Sequence, residues 1–292
     1  DHSGYLPALM KKGFSGPIYC SHATRALCKV LLPDAGYLQE EDARYANKGK
    51  FSRHQPAEPL YTEQDALKVL KQFKVLNTEK SHKLFDDCQV RFRPVGHILG
   101  ASSIRISNEG KSITFSGDVG RPDDLIMTPP ESIKNTDYLV VESTYGDRLH
   151  PKLNAYRAMR DIIKRTINRG GIVLMPAFAV GRAQLALHII EQLRAKKEIP
   201  KVPVFLNSPM AITATELFFD YQDKHRLNPG QCEAIDHMVT FAKTKAESME
   251  VVARKDPCII ISASGMASGG RVLHHLKALL SNPKNSILFL GY

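Results

Sequence analysis

Three stretches decide how this chain folds: PVGHILGASSIRI at 94–106, ITFSGDVGR at 113–121 and YLVVESTYGDR at 138–148. In each, a strand-like apolar run meets a polar or glycine-rich turn. The turns present His97, Asp118 and Glu142. A fourth turn opens the chain, where Asp1 and His2 precede Ser3-Gly4. Imidazoles and carboxylates delivered from successive strand ends are the donors that a hydrolytic metal site uses. The four turns are therefore expected to converge.

Around this stretch the patterning changes twice. Leu6 to Lys12 reads as a short helix and Pro17 to Cys20 as a strand. Ser21 is placed to cap a helix from Ala23 to Leu32. Between Asp34 and Tyr61 the periodicity fades into a charged segment, expected as a surface excursion with some helix. Thr62 caps a predicted helix from Glu63 to Phe73. Val90 to Arg93, Ser102 to Ile106 and Ser112 to Phe115 alternate as strands, with Asn108-Glu109-Gly110 as a hairpin turn. Tyr138 to Val141 reads as a buried apolar strand.

After Arg148 helix and strand alternate. The expected helices are Leu153 to Asn168, Ala183 to Arg194, Ala211 to Asp223, one near Lys245, and Arg271 to Ser281. The strands between them are IVLMP at 172–176, Val202 to Leu206, CIIIS at 258–262 and Ile287 to Leu290. This rhythm predicts a parallel sheet covered on both faces. A domain boundary is expected at 148, giving domains 1–148 and 149–292.

Composition narrows the function. The chain has 292 residues and a formal net charge of +10. Such a balance favours an anionic partner, nucleic acid first among them, although a merely basic soluble protein has the same count. No apolar run reaches the roughly 18 residues of a membrane span, so no membrane association is expected. The five cysteines are scattered without a CxxC pair, which argues against a cysteine zinc site or a disulfide framework and points to buried thiols in a reducing, cytoplasmic compartment. No leader is visible, and the chain begins inside a motif.

Each candidate residue is weak alone. A lone histidine beside small apolar neighbours, as His97 is, is more often structural than a ligand, and Gly-Asp turns like Gly117-Asp118 are common. Their order and setting at successive strand ends carry the reading. A two-metal site wants donors around ions about 3.5–4 Å apart with a bridging ligand, and a carboxylate such as Asp118 can bridge. In 176–184 (PAFAVGRAQ) a strand runs into a helix, whose first N–H groups attract anions, with Arg182 beside them. SASGMASGGR at 262–271 repeats the device, with Ser264 and Arg271 as candidate contacts. Each loop alone reads equally well as a tight βα turn. His22 suits a structural role at the start of its helix, while His54, His82, His150, His188, His225 and His237 read as surface or packing residues. The run RAKKEIPK at 194–201 reads as a solvated helix end.

Taken in order, these motifs resemble the β-CASP nucleases of the metallo-β-lactamase fold, a group that includes the endonuclease of the cleavage and polyadenylation machinery and its bacterial and archaeal relatives. The matching pieces are Asp1-His2-Ser3-Gly4, Tyr19 to Thr24, Gly96 to Ala101, Phe115 to Asp118, Glu142 to Gly146, Pro176 to Gln184 and Ser262 to Met266. The resemblance covers nearly the whole chain, with 43–54 (ARYANKGKFSRH) closer to the bacterial branch. It implies an α/β fold: an incomplete metallo-β-lactamase αββα sandwich plus a β-CASP domain with a Rossmann-like parallel sheet. It implies a zinc-dependent RNA phosphodiesterase that uses two Zn2+ and leaves a 5′-phosphate and a 3′-hydroxyl, with RNA entering between the domains. Asp1 and His2 would bind one zinc, His97 the other, and Asp118 would bridge them. Asp1 would also accept a proton from the attacking water, and Glu142 would orient an acid histidine. Arg182, Ser264 and Arg271 would touch substrate. The family's two earlier histidines and its later histidine motifs fall outside these 292 residues, so this chain alone is expected to bind metal poorly and hydrolyse little. A homodimer is an open option. The rival readings are a catalytically silent RNA-binding or scaffold subunit and a small-molecule hydrolase such as a thioesterase, the latter disfavoured by the large βα insertion and the charge.

Overall fold

Alternation along residues 88–94 puts Cys88, Val90 and Phe92 on a buried face and leaves Gln89, Arg91 and Arg93 off it, as a half-covered strand requires. The computed structural model describes residues 2–149 and 154–290. The chain divides into two compact units, Asp1–Ser143 and Thr144–Tyr292.

In the first unit the order is α1 (Leu6–Lys11), β1 (Ile18–Cys20), α2 (His22–Gly49), α3 (Glu63–Val69), β2 (Phe73–Val75), β3 (His82–Phe85), β4 (Cys88–Pro94), β5 (Ser102–Asn108), β6 (Lys111–Phe115) and β7 (Tyr138–Val140). β1 and β2 form a parallel pair. Ala8, Cys20, Cys28, Leu32, Tyr61, Ala66, Val69 and Phe73 make one buried cluster from that pair and the three helices. The larger sheet has the order β3-β4-β5-β6-β7. Its first four strands are antiparallel neighbours, and β7 adds parallel to β6. The β5–β6 turn places Glu109 and Gly110 at positive φ, the mirror-image turn expected of a tight hairpin.

Three expectations for this unit are corrected. The helix after Ser21 does not stop at Leu32 but continues through Pro33 to Gly49. Side chains of its second half hold the returning segment: Gln39 Oε1 accepts from Leu60 N, Glu40 Oε2 from Glu63 N, and Asn47 bonds both the N–H and the carbonyl of Ala57. The helix begun at Glu63 ends at Val69, because one 3-10 turn leads directly into β2. The stretch Tyr138 to Val141 is exposed rather than buried, since β7 lies at the sheet edge.

The second unit contains α4 (Ala155–Asn168), β8 (Val173–Pro176), α5 (Arg182–Ala195), β9 (Val204–Leu206), α6 (Pro209–Asp220), α7 (Pro229–Met238), β10 (Val239–Phe241), α8 (Lys245–Ala253), β11 (Ile259–Ser262), α9 (Val272–Leu279) and β12 (Ser286–Ile287). All five strands are parallel, in the order β10-β9-β11-β8-β12. Leu174, Phe205 and Ile260 face a cluster that includes Val251 of α8 and Val272 and Leu279 of α9. Strand alternation puts Val173, Met175, Val204, Leu206, Ile259 and Ile261, all buried, on the opposite face. The helix expected to Asp223 ends at Asp220, and α7 and β10 were not anticipated. The last strand covers Ser286–Ile287 rather than Ile287 to Leu290. Leu153, the expected start of α4, lies outside the described residues; Asn154 caps the helix by accepting from Arg157 N.

Candidate metal centre and ligand crevice

Asp118 sits three residues beyond the end of β6, and its carboxylate is flanked by two imidazoles. His2 Nε2 lies 3.6 Å from Oδ1 and His97 Nε2 lies 3.5 Å from Oδ2. These separations exceed a hydrogen bond. They match two ligand atoms held by one tetrahedral zinc, which at bond lengths of about 2.0–2.2 Å stand about 3.4 Å apart. Each imidazole faces a different oxygen of the one carboxylate. Among the described residues no group of three or more His, Cys, Asp and Glu side chains is arranged to hold a metal ion. His2, His97 and Asp118 are paired through one carboxylate rather than aimed at one common point. Asp1, the remaining sequence candidate, lies outside the described residues.

The turns that bring these groups together interlock through glycines. The hairpin connection Val95–Ala101 carries His97 and closes on itself through Val95 N to Ala101 O and Ala101 N to Ile98 O. Gly100, at φ +82°, packs so closely on α2 that a Cβ there would stand 2.6 Å from Thr24 N. The Ser21 and Thr24 hydroxyls both reach the Gly100 carbonyl, at 3.1 and 3.0 Å. Ser21 Oγ also caps α2 by accepting from Thr24 N. On the other side, Gly120 N donates to Val95 O at 2.8 Å. A Cβ on Gly120 would meet Gly96 O at 2.0 Å and His97 N at 2.7 Å. The Asp118 turn and the His97 turn therefore fit only as a pair.

Glu142 is the third support. Its Oε1 accepts from Val119 N at 2.8 Å, next to Asp118, and its own N–H donates to Ser116 Oγ at 3.0 Å. Ser116 N in turn donates to Val140 O. Glu142 thus ties the turn after β7 to the turn after β6 and fixes the peptide that presents Asp118. Ser116 and Gly120 were not singled out in the sequence. Their signal was present in SGDVG: a small hydroxyl and a glycine on either side of the acid.

The second unit places its two loops side by side. β8 and β11 are neighbours, but the chain leaves β8 toward β9 and leaves β11 toward β12, in opposite directions along the sheet. Such a reversal opens a crevice outside the strand C-termini, where ligands bind in open α/β sheets. The loop 177–181 and the loop 263–271 flank it. A Cβ on Gly265 would stand 2.9 Å from Phe178 N, so the loops touch. Arg182, the first residue of α5, is exposed, as are Phe178 and Met266. Ser264 Oγ accepts from Ser268 N at 3.3 Å within its own loop. Arg271 is engaged elsewhere. Its guanidinium donates to Asn207 Oδ1 (2.9 Å), Ala242 O (2.8 Å) and Lys243 O (3.2 Å). Burial pushes its pKa down while Glu247 pulls it up.

Below that rim lies a buried polar knot. Ser262 Oγ donates to Asn207 O, and Asn207 Nδ2 meets His275 Nε2 at 2.7 Å. The amide offers its N–H, so that imidazole nitrogen accepts and the ring is neutral. Desolvation, with His274 and Arg271 nearby, pushes His275 down to about 4. Asn207-Ser208-Pro209, a helix-cap triplet at a strand end, is the one cue to this knot in the sequence.

Residues 183–292 match the Beta-Casp domain family. The whole chain is 30% identical to Ribonuclease TTHA0252 of Thermus thermophilus and covers 65% of it. It is 31% identical to an RNase J-like protein of Methanocaldococcus jannaschii, covering 64%, and 31% identical to Transcription termination factor FttA of Methanosarcina mazei, covering 46%. The chain thus spans just under two thirds of the first two relatives and under half of the third.

Proposed function

We propose that this chain is a β-CASP protein of the metallo-β-lactamase fold and supplies the core of a zinc-dependent RNA phosphodiesterase acting in RNA processing or decay, a reading supported by the Beta-Casp match and the ribonuclease relatives. The observation that carries the reading is the placement of His2 and His97 at opposite oxygens of Asp118. The donor set suits zinc: borderline imidazoles, hard carboxylates and no thiolate. His2, His97 and Asp118 would hold two Zn2+, with Asp1 as a further ligand and proton acceptor. When bound, zinc supplies Lewis-acid polarisation of the phosphodiester and acidifies water. The chain's own contribution is positional. Glu142 holds the Asp118 peptide through Val119 N–H, and the Gly96–Gly120 contact fixes the spacing of the two turns.

In this reading 1–148 is the metallo-β-lactamase domain and 149–292 the β-CASP domain. Arg182 and Ser264 meet the RNA backbone at the crevice between β8 and β11, and Arg271 orders that rim. The relatives named as ribonucleases support RNA as substrate. Among the described residues no helix is long and apolar enough to cross a membrane. A cytoplasmic site of action and a homodimer belong to the same reading; cell fractionation and light scattering test them.

A second reading is a catalytically silent RNA-binding or scaffold subunit, in which the basic charge and the crevice loops serve binding alone. Labelled RNA incubated with the full-length protein, before and after chelation, separates the two. Substitution Asp118→Ala is expected to abolish cleavage and lower bound zinc, measured by elemental analysis, while RNA binding persists. Cleavage that survives complete metal removal ends the metal-dependent reading.

A further inference from the structure

The far end of α2 carries an unusual surface. Tyr45 is 71% exposed and Phe51 is 62% exposed, yet their rings are not loose. They meet edge to face with centroids 5.3 Å apart and an interplanar angle of 64°. Phe51 lies over Gly49, where a Cβ would stand 2.4 Å from the ring. Lys50 ends the helix in the left-handed conformation, φ 52°, and turns the chain so that Phe51 folds back onto the last helical turn. The returning segment is pinned by Asn47, which bonds the backbone of Ala57 at both ends. The two aromatic rings are thus held in place with open surface toward solvent.

Cations surround them. Lys48, Lys50, Arg53 and His54 are all exposed. Arg44 is neutralised by Glu41, whereas Lys48, Lys50 and Arg53 have no ion pair among the described residues. Solvent-facing rings interleaved with unpaired cations suit single-stranded nucleic acid, whose bases stack on aromatic faces while its phosphates meet Lys and Arg. An acidic protein surface would use the cations but not two open rings. An apolar protein surface would be opposed by the cations.

We propose that Tyr45, Phe51 and the cations Lys48, Lys50 and Arg53 form a stacking platform for single-stranded RNA, an exosite separate from the candidate metal centre. The proposal rests on RNA being the substrate. The geometry adds a length rule. The N-terminus of α2 is bonded to the Gly100 carbonyl of the His97 turn. A 28-residue helix rises at about 1.5 Å per residue, so the platform stands at most about 40 Å from that turn. Only RNA long enough to cover that span engages both.

The test uses the full-length protein with metal chelated, so that binding is read without cleavage. Fluorescence anisotropy compares a labelled oligouridylate of about 20 nucleotides with one of about four. Tyr45→Ala and Phe51→Ala are each expected to weaken the long oligonucleotide about tenfold and leave the short one within about twofold. Gly49→Ala displaces the Phe51 ring while favouring the helix, and is expected to weaken binding without lowering the melting temperature. These 292 residues hold no tryptophan, so Tyr45→Trp adds a reporter at the platform, and the emission gained over wild type is expected to be quenched by the long oligonucleotide. If wild type binds RNA and the ring variants bind it equally well, the platform is wrong and the RNA reading stands. If wild type binds no RNA, the RNA reading falls and the platform with it. If the ring variants leave affinity unchanged but reduce the mass seen by light scattering, the patch joins copies of the chain and the proposal is overturned.

Discussion

At the scale of single residues, His275 shows how burial sets protonation. Its ring is fully buried and accepts from Asn207, so only the neutral form fits. The folded pKa lies near 4, against about 6.5 in an unfolded chain. Between those values the unfolded state binds the extra proton, and stability falls as pH falls through that window. Going from pH 7 to pH 5, this one group is expected to cost about 2 kcal/mol. Replacing it by His275→Gln should flatten the pH dependence of the melting temperature over that range; an unchanged dependence would show that His275 does not titrate so. The residue was visible in the sequence, but its role was not, because burial within α9 depends on which strands lie beneath it. His97 and Asp118 are the reverse case. Their turns carry glycine and apolar neighbours in recognisable order, so the positions were legible before their approach to 3.5 Å was known.

At the scale of elements, α2 marks the limit of local reading. Pro33 and the charged run after it argue for a helix end, since proline removes a backbone donor and clashes with the preceding turn. The helix persists because of contacts far along the chain. Gly36 packs on the start of α3 so tightly that a Cβ would stand 2.6 Å from Glu63 N. Gln39, Glu40 and Asn47 then bond the backbone that returns. None of these partners is visible in a local window. Gly36→Ala should raise helix propensity yet destabilise the protein by about 2 kcal/mol through overpacking against backbone that cannot yield. Thermal melts decide it, and a stabilised variant would sink the close-packing account. The strands of both sheets were more legible than α2, because alternation and buried apolar runs are local signals. The short β10 was missed and β12 misplaced, with only three and two paired residues to announce them.

At the scale of the whole molecule, all five cysteines are buried and free. Burial is the main cause that raises Cys20 to about 11 and Cys258 to about 12, and it also raises Cys28 and Cys232. Thiols held as the neutral form and shielded from solvent react slowly. Native protein is therefore expected to show almost no reaction with a thiol reagent over minutes, and all five groups should react once denatured. Fast labelling of the native state would contradict the burial pattern. β7 has a different consequence. Tyr138, Leu139 and Val140 are each at least half exposed at the rim of a sheet whose next neighbour position is open among the described residues. Apolar side chains beside unpaired backbone groups invite a foreign strand to extend the sheet. Solubility, more than folding, is then what this rim governs: concentrated solutions of these 292 residues should turn turbid first, and Val140→Lys should delay that clouding without moving the melting point.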